Sequence, residues 1–156
     1  MARTHSYEAT VVWTGDRGSG TSAYDAYDRD HEIRIDGKPA LLGSADPAYR
    51  GDPGRHNPED LLLAALASCH MLWYLHLCAE AKIQVTGYKD RATGTMVTKK
   101  AGGRFTEAVL HPRVTVAAGA DTAKALALHA EASRLCFIAN SVNFPLRHEA
   151  EIVVAG

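Results

Sequence analysis

The chain has 156 residues, 46% of them hydrophobic and 22% charged, and a formal net charge of −1. That length predicts one domain, residues 1–156, removing roughly 70% of its unfolded surface from water. The near-neutral balance excludes a bulk field that would draw in nucleic acid or an anionic membrane.

Tyr7, Ala9, Val11 and Trp13 recur at every second position, which predicts a half-buried first strand. Gly15-Asp16-Arg17-Gly18-Ser19-Gly20 breaks it with turn chemistry. Further strands are expected over residues 21–27 and 32–35, and Asp36-Gly37 makes a hairpin turn before Leu41-Leu42. Residues 43–57 are rich in Gly, Pro, Asp and Ala and read as a loop. A long helix is predicted over residues 58–81, with Pro58 at its first position and Glu59-Asp60 complementing the dipole. Strands follow over residues 84–92, 95–98 and 106–116, with Lys99-Lys100 at a solvated hairpin tip. Asp121 or Thr122 caps a second helix running to Leu135, and a strand over residues 149–154 closes the pattern.

Strands, helix, strands, helix, strand is an α+β order rather than a βαβ alternation. The first helix is apolar on nearly every face from Leu61 to Leu77, so it must be covered all round. A chain this small struggles to enclose it alone. The expected architecture is therefore an intimate homodimer in which sheets wrap central helices. The apolar run from Leu61 to Ala67 is far shorter than a membrane span, and residues 1–8 lack the apolar core of a signal peptide. Three cysteines without framework spacing point to a reducing compartment, so a cytoplasmic protein is expected.

Cys69 sits inside the first helix and Cys136 follows the second. Cys78 is nine positions beyond Cys69, on the opposite helix face and about 13 Å away, too far for a disulfide in an intact helix. Cys78 reads as a small buried hydrophobe. Spacing alone does not say whether Cys69 and Cys136 meet. A working Cys69 needs a cation to favour its thiolate, since a thiol of ordinary pKa is only about 3% ionised at neutral pH. Arg17, in its glycine-rich turn, is the first candidate; Arg50 and Arg55 are rivals. Glu59 either favours the helix dipole or fixes the arginine by bidentate bonding, and the two roles are compatible. It precedes Cys69 by ten residues, about 15 Å of straight helix, so a shared site needs a kink or a second subunit. No CxxC or HExxH occurs, and His70 and His76 point to different helix faces, so neither a metal nor another cofactor is expected. Trp73, one turn beyond Cys69, is a core residue or the wall of an apolar pocket beside the thiol.

Asn57-Pro58-Glu59, followed ten residues later by Cys69 in an Ala/Leu helix, resembles the OsmC/Ohr family of thiol-dependent peroxidases. The Arg17 glycine loop and Cys136 extend that resemblance over nearly the whole chain. The resemblance implies that Cys69 is the peroxidatic cysteine, Cys136 the resolving cysteine that closes a disulfide with it, and Arg17 with Glu59 the activating pair. It implies an organic hydroperoxide as substrate and an external thiol, such as a lipoyl dithiol, as reductant. The chain departs from the family at Phe137, where members often carry proline after the second cysteine. A redox sensor or small-molecule binding protein on the same fold is the competing class.

Overall fold

The structure is a computed structural model that describes all 156 residues. Its Cα positions divide into two compact units, Met1–Leu61 and Leu62–Gly156. The first unit holds a three-stranded antiparallel sheet in the order β1 (Thr10–Trp13), β2 (His31–Arg34), β3 (Leu41–Gly43). Between β1 and β2, where a strand was expected over residues 21–27, the chain makes turns instead. The cause is local. Arg29 donates to the carbonyls of Tyr24 and Tyr27 at 2.7 and 2.6 Å, and Arg17 donates to that of Asp25. Guanidinium groups take the acceptors a strand would need, while the Arg29 plane lies over both tyrosine rings.

After β3 the loop is pinned by a bridge between Gly43 and His56 and by buried Ser44. The Ser44 hydroxyl donates to Asp30 and accepts from the Asp52 amide. The helix α1 (Pro58–Glu80) then begins with a reciprocal cap. Asn57 Oδ1 accepts from the Asp60 amide at 2.8 Å, and the Asp60 carboxylate accepts from the Asn57 amide at 3.2 Å. Two of the helix's orphan donors are thereby satisfied, with Pro58 placed where no amide is missed.

The second unit contains the rest of α1, α2 (Thr122–Leu135) and two sheets. One sheet has the order β4 (Val85–Asp90), β7 (Pro112–Val116), β9 (Glu151–Val154); the other is β5 (Thr93–Lys99), β6 (Gly102–Leu110), β8 (Leu146–His148). Each is an antiparallel pair extended by a parallel third strand. The single strand expected over residues 106–116 is therefore two. At His111 the chain leaves one sheet for the other: its amide donates to Asp90 at 2.7 Å, and Pro112 has no amide to continue a ladder. Asp121 caps α2 by accepting from the Lys124 amide.

The inner stripe of α1 is Leu66, His70, Tyr74 and Cys78, spaced by four; that of α2 is Ala125, Leu128, His129 and Ala132. Tyr74, Cys78, Ala125, Leu128 and Ala132 form a core with Ile83, Val114 and Val116. Cys78 is thus a packed core residue, its thiol pushed up by burial. The opposite side of α1 is uncovered in the single chain. Leu72 is 63% exposed, and only 22% of the helix's most apolar stretch is buried. By length and composition α1 could cross a membrane, which the Leu61–Ala67 run alone does not reveal.

Candidate active site

In the second unit α1 and α2 run antiparallel, as three successive contacts show. The Tyr74 hydroxyl donates to the Ala125 carbonyl at 3.0 Å, His70 Nε2 lies 3.0 Å from His129 Nδ1, and the thiols of Cys69 and Cys136 are close enough for Cys69 to raise the Cys136 thiol. The structure thus brings together two cysteines 67 positions apart in sequence. No disulfide joins them.

Their surroundings differ. Cys69 is half-buried, whereas Cys136 is fully buried at the C-cap of α2. Its amide donates to the Ala132 carbonyl, and its Sγ accepts from the Ala139 amide at 3.4 Å. Asn140 secures the turn beyond it by donating to the Cys136 carbonyl from both its amide and its side chain. Burial, reinforced by the Cys69 contact, pushes the Cys136 thiol up to about 11. Cys136 therefore keeps its proton at neutral pH beside Cys69. Cys69 is the more accessible sulfur, and Cys136 the buried and more tightly held one.

Beside the pair stands an aromatic corner. Trp73 on α1 meets Phe137 edge to face and also contacts His76. Phe137 is 68% exposed, an unusual position for a large apolar ring.

Sequence reasoning missed a polar layer on the inner stripes. His70 and His129 are wholly buried, their rings stacked 5.3 Å apart, with the Tyr74 ring 3.8 Å from His129. The Ser133 hydroxyl lies 3.4 Å from His70 Nδ1 and 3.1 Å from His148 Nδ1. Desolvation lowers His70 to about 4 and His129 to about 3, each helped by the neighbouring imidazoles, so both are neutral at pH 7. The signal available in sequence was their placement at four-residue spacing among the apolar residues of each helix. No three His, Cys, Asp or Glu side chains are disposed to hold a metal ion.

Two further predicted residues lie in the first unit. Arg17 sits in a turn organised by Asp16, whose carboxylate accepts from the amides of Gly18 and Gly20. Both glycines have positive φ, at 108° and 55°, and Gly15 passes so close to Asp28 that a Cβ would lie 2.0 Å from its carbonyl oxygen. The Arg17 guanidinium is exposed and also pairs with the Asp28 carboxylate at 3.7 Å. Glu59 is half-buried in the first turn of α1, and its Oε2 is buried with no hydrogen-bond partner in the chain. Of the rival arginines, Arg55 is held by Asp30 and Asp52, and Arg50 is an exposed residue in the left-handed conformation.

The profile of the OsmC-like protein family matches residues 51–151. An OsmC-like protein of unknown function from Vibrio cholerae is 30% identical, with a TM-score of 0.84 over 94% of this chain and 99% of that one. An organic hydroperoxide resistance protein OsmC from Legionella pneumophila, also described as a predicted redox protein, shares the fold at 19% identity. Its TM-score is 0.70, over 97% of this chain and 98% of that one. The organic hydroperoxide resistance protein OhrB of Bacillus subtilis shares it at 20% identity and a TM-score of 0.58, over 94% and 98%. No curated protein matches the chain.

Proposed function

The chain belongs to the OsmC-like family, and on that premise we propose that it is a homodimeric thiol peroxidase reducing organic hydroperoxides to alcohols. The observation that carries this reading is the meeting of an accessible Cys69 thiol with a buried, protonated Cys136. The hydroperoxide class itself comes from the names of structural neighbours whose likeness is in fold, and from the resemblance of Asn57-Pro58-Glu59 and Cys69 to the family pattern.

In this reading the Cys69 thiolate attacks the distal oxygen of the hydroperoxide. An S–O bond forms, the O–O bond breaks, and the departing alkoxide takes a proton to become the alcohol. Cys69 is left as a sulfenic acid. The Cys136 sulfur then attacks the Cys69 sulfur: the S–S bond forms, the S–O bond breaks, and hydroxide leaves as water with the Cys136 proton. An external thiol, a small dithiol such as a lipoyl group among the candidates, reduces the disulfide. Trp73 and Phe137 form an apolar wall suited to a bulky organic group.

Arg17 and Glu59 are assigned as the activating pair, acting across the subunit interface. Two features support a dimer. Most of the apolar residues of α1 are only half-buried in the single chain and Leu72 is exposed, and the buried Glu59 carboxylate oxygen lacks a partner that a guanidinium would supply. The paired helices would then be a core rather than a membrane span, in a soluble protein of the cytoplasm.

The test is turnover with cumene hydroperoxide and either dithiothreitol or dihydrolipoamide. An enzyme consumes many equivalents of peroxide per subunit. Consumption that stops near one equivalent marks the protein as a redox sensor and overturns the enzymatic reading.

A further inference from the structure

Adjoining the two cysteines is a polar layer that the reaction above does not use. His70 directly follows Cys69 on α1, and Ser133 lies one helical turn before Cys136 on α2. The Ser133 hydroxyl touches His70 Nδ1 at 3.4 Å and His148 Nδ1, on β8, at 3.1 Å. His70 in turn reaches His129 on α2 through Nε2 at 3.0 Å. The hydroxyl has one proton and two lone pairs and faces two imidazole nitrogens, so it can pair with both while donating to at most one. It is therefore a joint among three elements, α1, α2 and β8, beside the sulfur pair. His70 and His129 are buried, so a lost partner is not replaced by solvent.

We propose that Ser133, with His70, is a positioning pair that holds Cys136 against Cys69 and so sets whether the Cys69 sulfenic acid closes to a disulfide or is oxidised further. This inference rests on the two-cysteine reaction. The competing outcomes start from the same species. In closure, the Cys136 sulfur displaces hydroxide from Cys69, and water leaves. In escape, the Cys69 sulfenate sulfur attacks the distal oxygen of a second hydroperoxide. A second S–O bond forms, its O–O bond breaks, alcohol leaves and a sulfinic acid remains. Closure is intramolecular and depends steeply on how the two sulfurs are held, whereas escape depends only on peroxide concentration. The imidazoles act here by geometry. Burial keeps His70 and His129 neutral and poorly basic, which suits fixed hydrogen-bonding partners better than proton acceptors.

The experiment oxidises wild type, Ser133→Ala and Ser133→Thr with graded cumene hydroperoxide, blocks free thiols and weighs the intact chains. Loss of two hydrogens reports the disulfide, and gain of two oxygens reports the sulfinic acid. Ser133→Ala should raise the ratio of sulfinic acid to disulfide about three- to tenfold, the factor expected from one hydrogen bond. Ser133→Thr, which keeps the hydroxyl, should restore the wild-type ratio; a role in packing alone would not follow the hydroxyl. His148→Asn, at a half-buried position, should shift the ratio in the same direction and serves if Ser133→Ala is unfolded at the assay temperature. A wild-type ratio in whichever of these two variants is folded overturns the proposal, as does a threonine variant that behaves like alanine. If wild type itself forms no Cys69–Cys136 disulfide, the two-cysteine reaction fails, and the positioning role with it.

Discussion

Trp73 and Phe137 meet with ring centroids 5.4 Å apart and planes at 88°, a contact between α1 and the residue that follows Cys136. The chain thus builds an aromatic corner at Phe137, where it departs from the proline that the family resemblance implies. The geometry predicts discrimination by substrate bulk. Phe137→Ala should lower kcat/KM for cumene hydroperoxide roughly two- to tenfold, the worth of one aromatic contact, and leave that for tert-butyl hydroperoxide nearly unchanged. Equal losses for both peroxides would mean that the corner only braces the Cys136 turn.

The three cysteines should separate cleanly. Cys69→Ser is expected to abolish turnover, because a serine hydroxyl is no comparable nucleophile at neutral pH. Cys136→Ser should complete one reduction and then accumulate sulfinic acid, read by intact mass. Cys78→Ser should keep its chemistry while losing about 1–3 kcal/mol of stability, because it puts a hydroxyl into the core. Chemical denaturation measures that loss.

Stability should fall on acidification through the buried histidines. Their folded-state values lie below the ordinary 6.5, at about 4 for His70 and about 3 for His129. Between those values and 6.5 the unfolded chain binds more protons than the folded one, so unfolding free energy rises with pH across that window. For His70 the full span is on the order of 3 kcal/mol. The groups facing this layer are His148, Tyr74 and Ser133. Urea titrations at pH values from 7 down to about 4 should show the decline, and His129→Gln should flatten it. A stability independent of pH across that range would mean the layer is open to water.

A shared site predicts complementation. Cys69→Ser and Glu59→Gln subunits, each impaired alone, are refolded together. If Glu59 serves the other subunit's Cys69, one site of each heterodimer collects both defects and the other neither, so activity rises towards half that of a wild-type dimer. No gain from heterodimers shown to form would place each complete site within one chain.

Much of this arrangement was legible in residues. Asn57-Pro58 and Asp121 mark both helix starts because capping is local chemistry, readable within four positions. The strand expected over residues 21–27 failed for an equally local reason that pattern does not display: arginine side chains satisfy its carbonyls. The cysteine pair was named from resemblance, while its contact depends on how α1 meets α2. The histidine layer was least visible. His70 and His129 are 59 positions apart, and only the packed helices turn two isolated polar residues into partners. β8 escaped notice because three residues after Pro145 give too short a pattern to register.

The two C-terminal strands also bear on how the protein is made. β8 pairs with β6 and β9 with β7, so one short segment supplies the third strand of two different sheets. These pairings join residues 38 positions apart, such as Ala108 with Leu146 and Val114 with Ile152, and such non-local contacts form slowly. During synthesis Cys69 and Cys136 leave the ribosome before the strands that complete this scaffold. The nascent chain therefore carries both cysteines through a stage when neither sheet is complete.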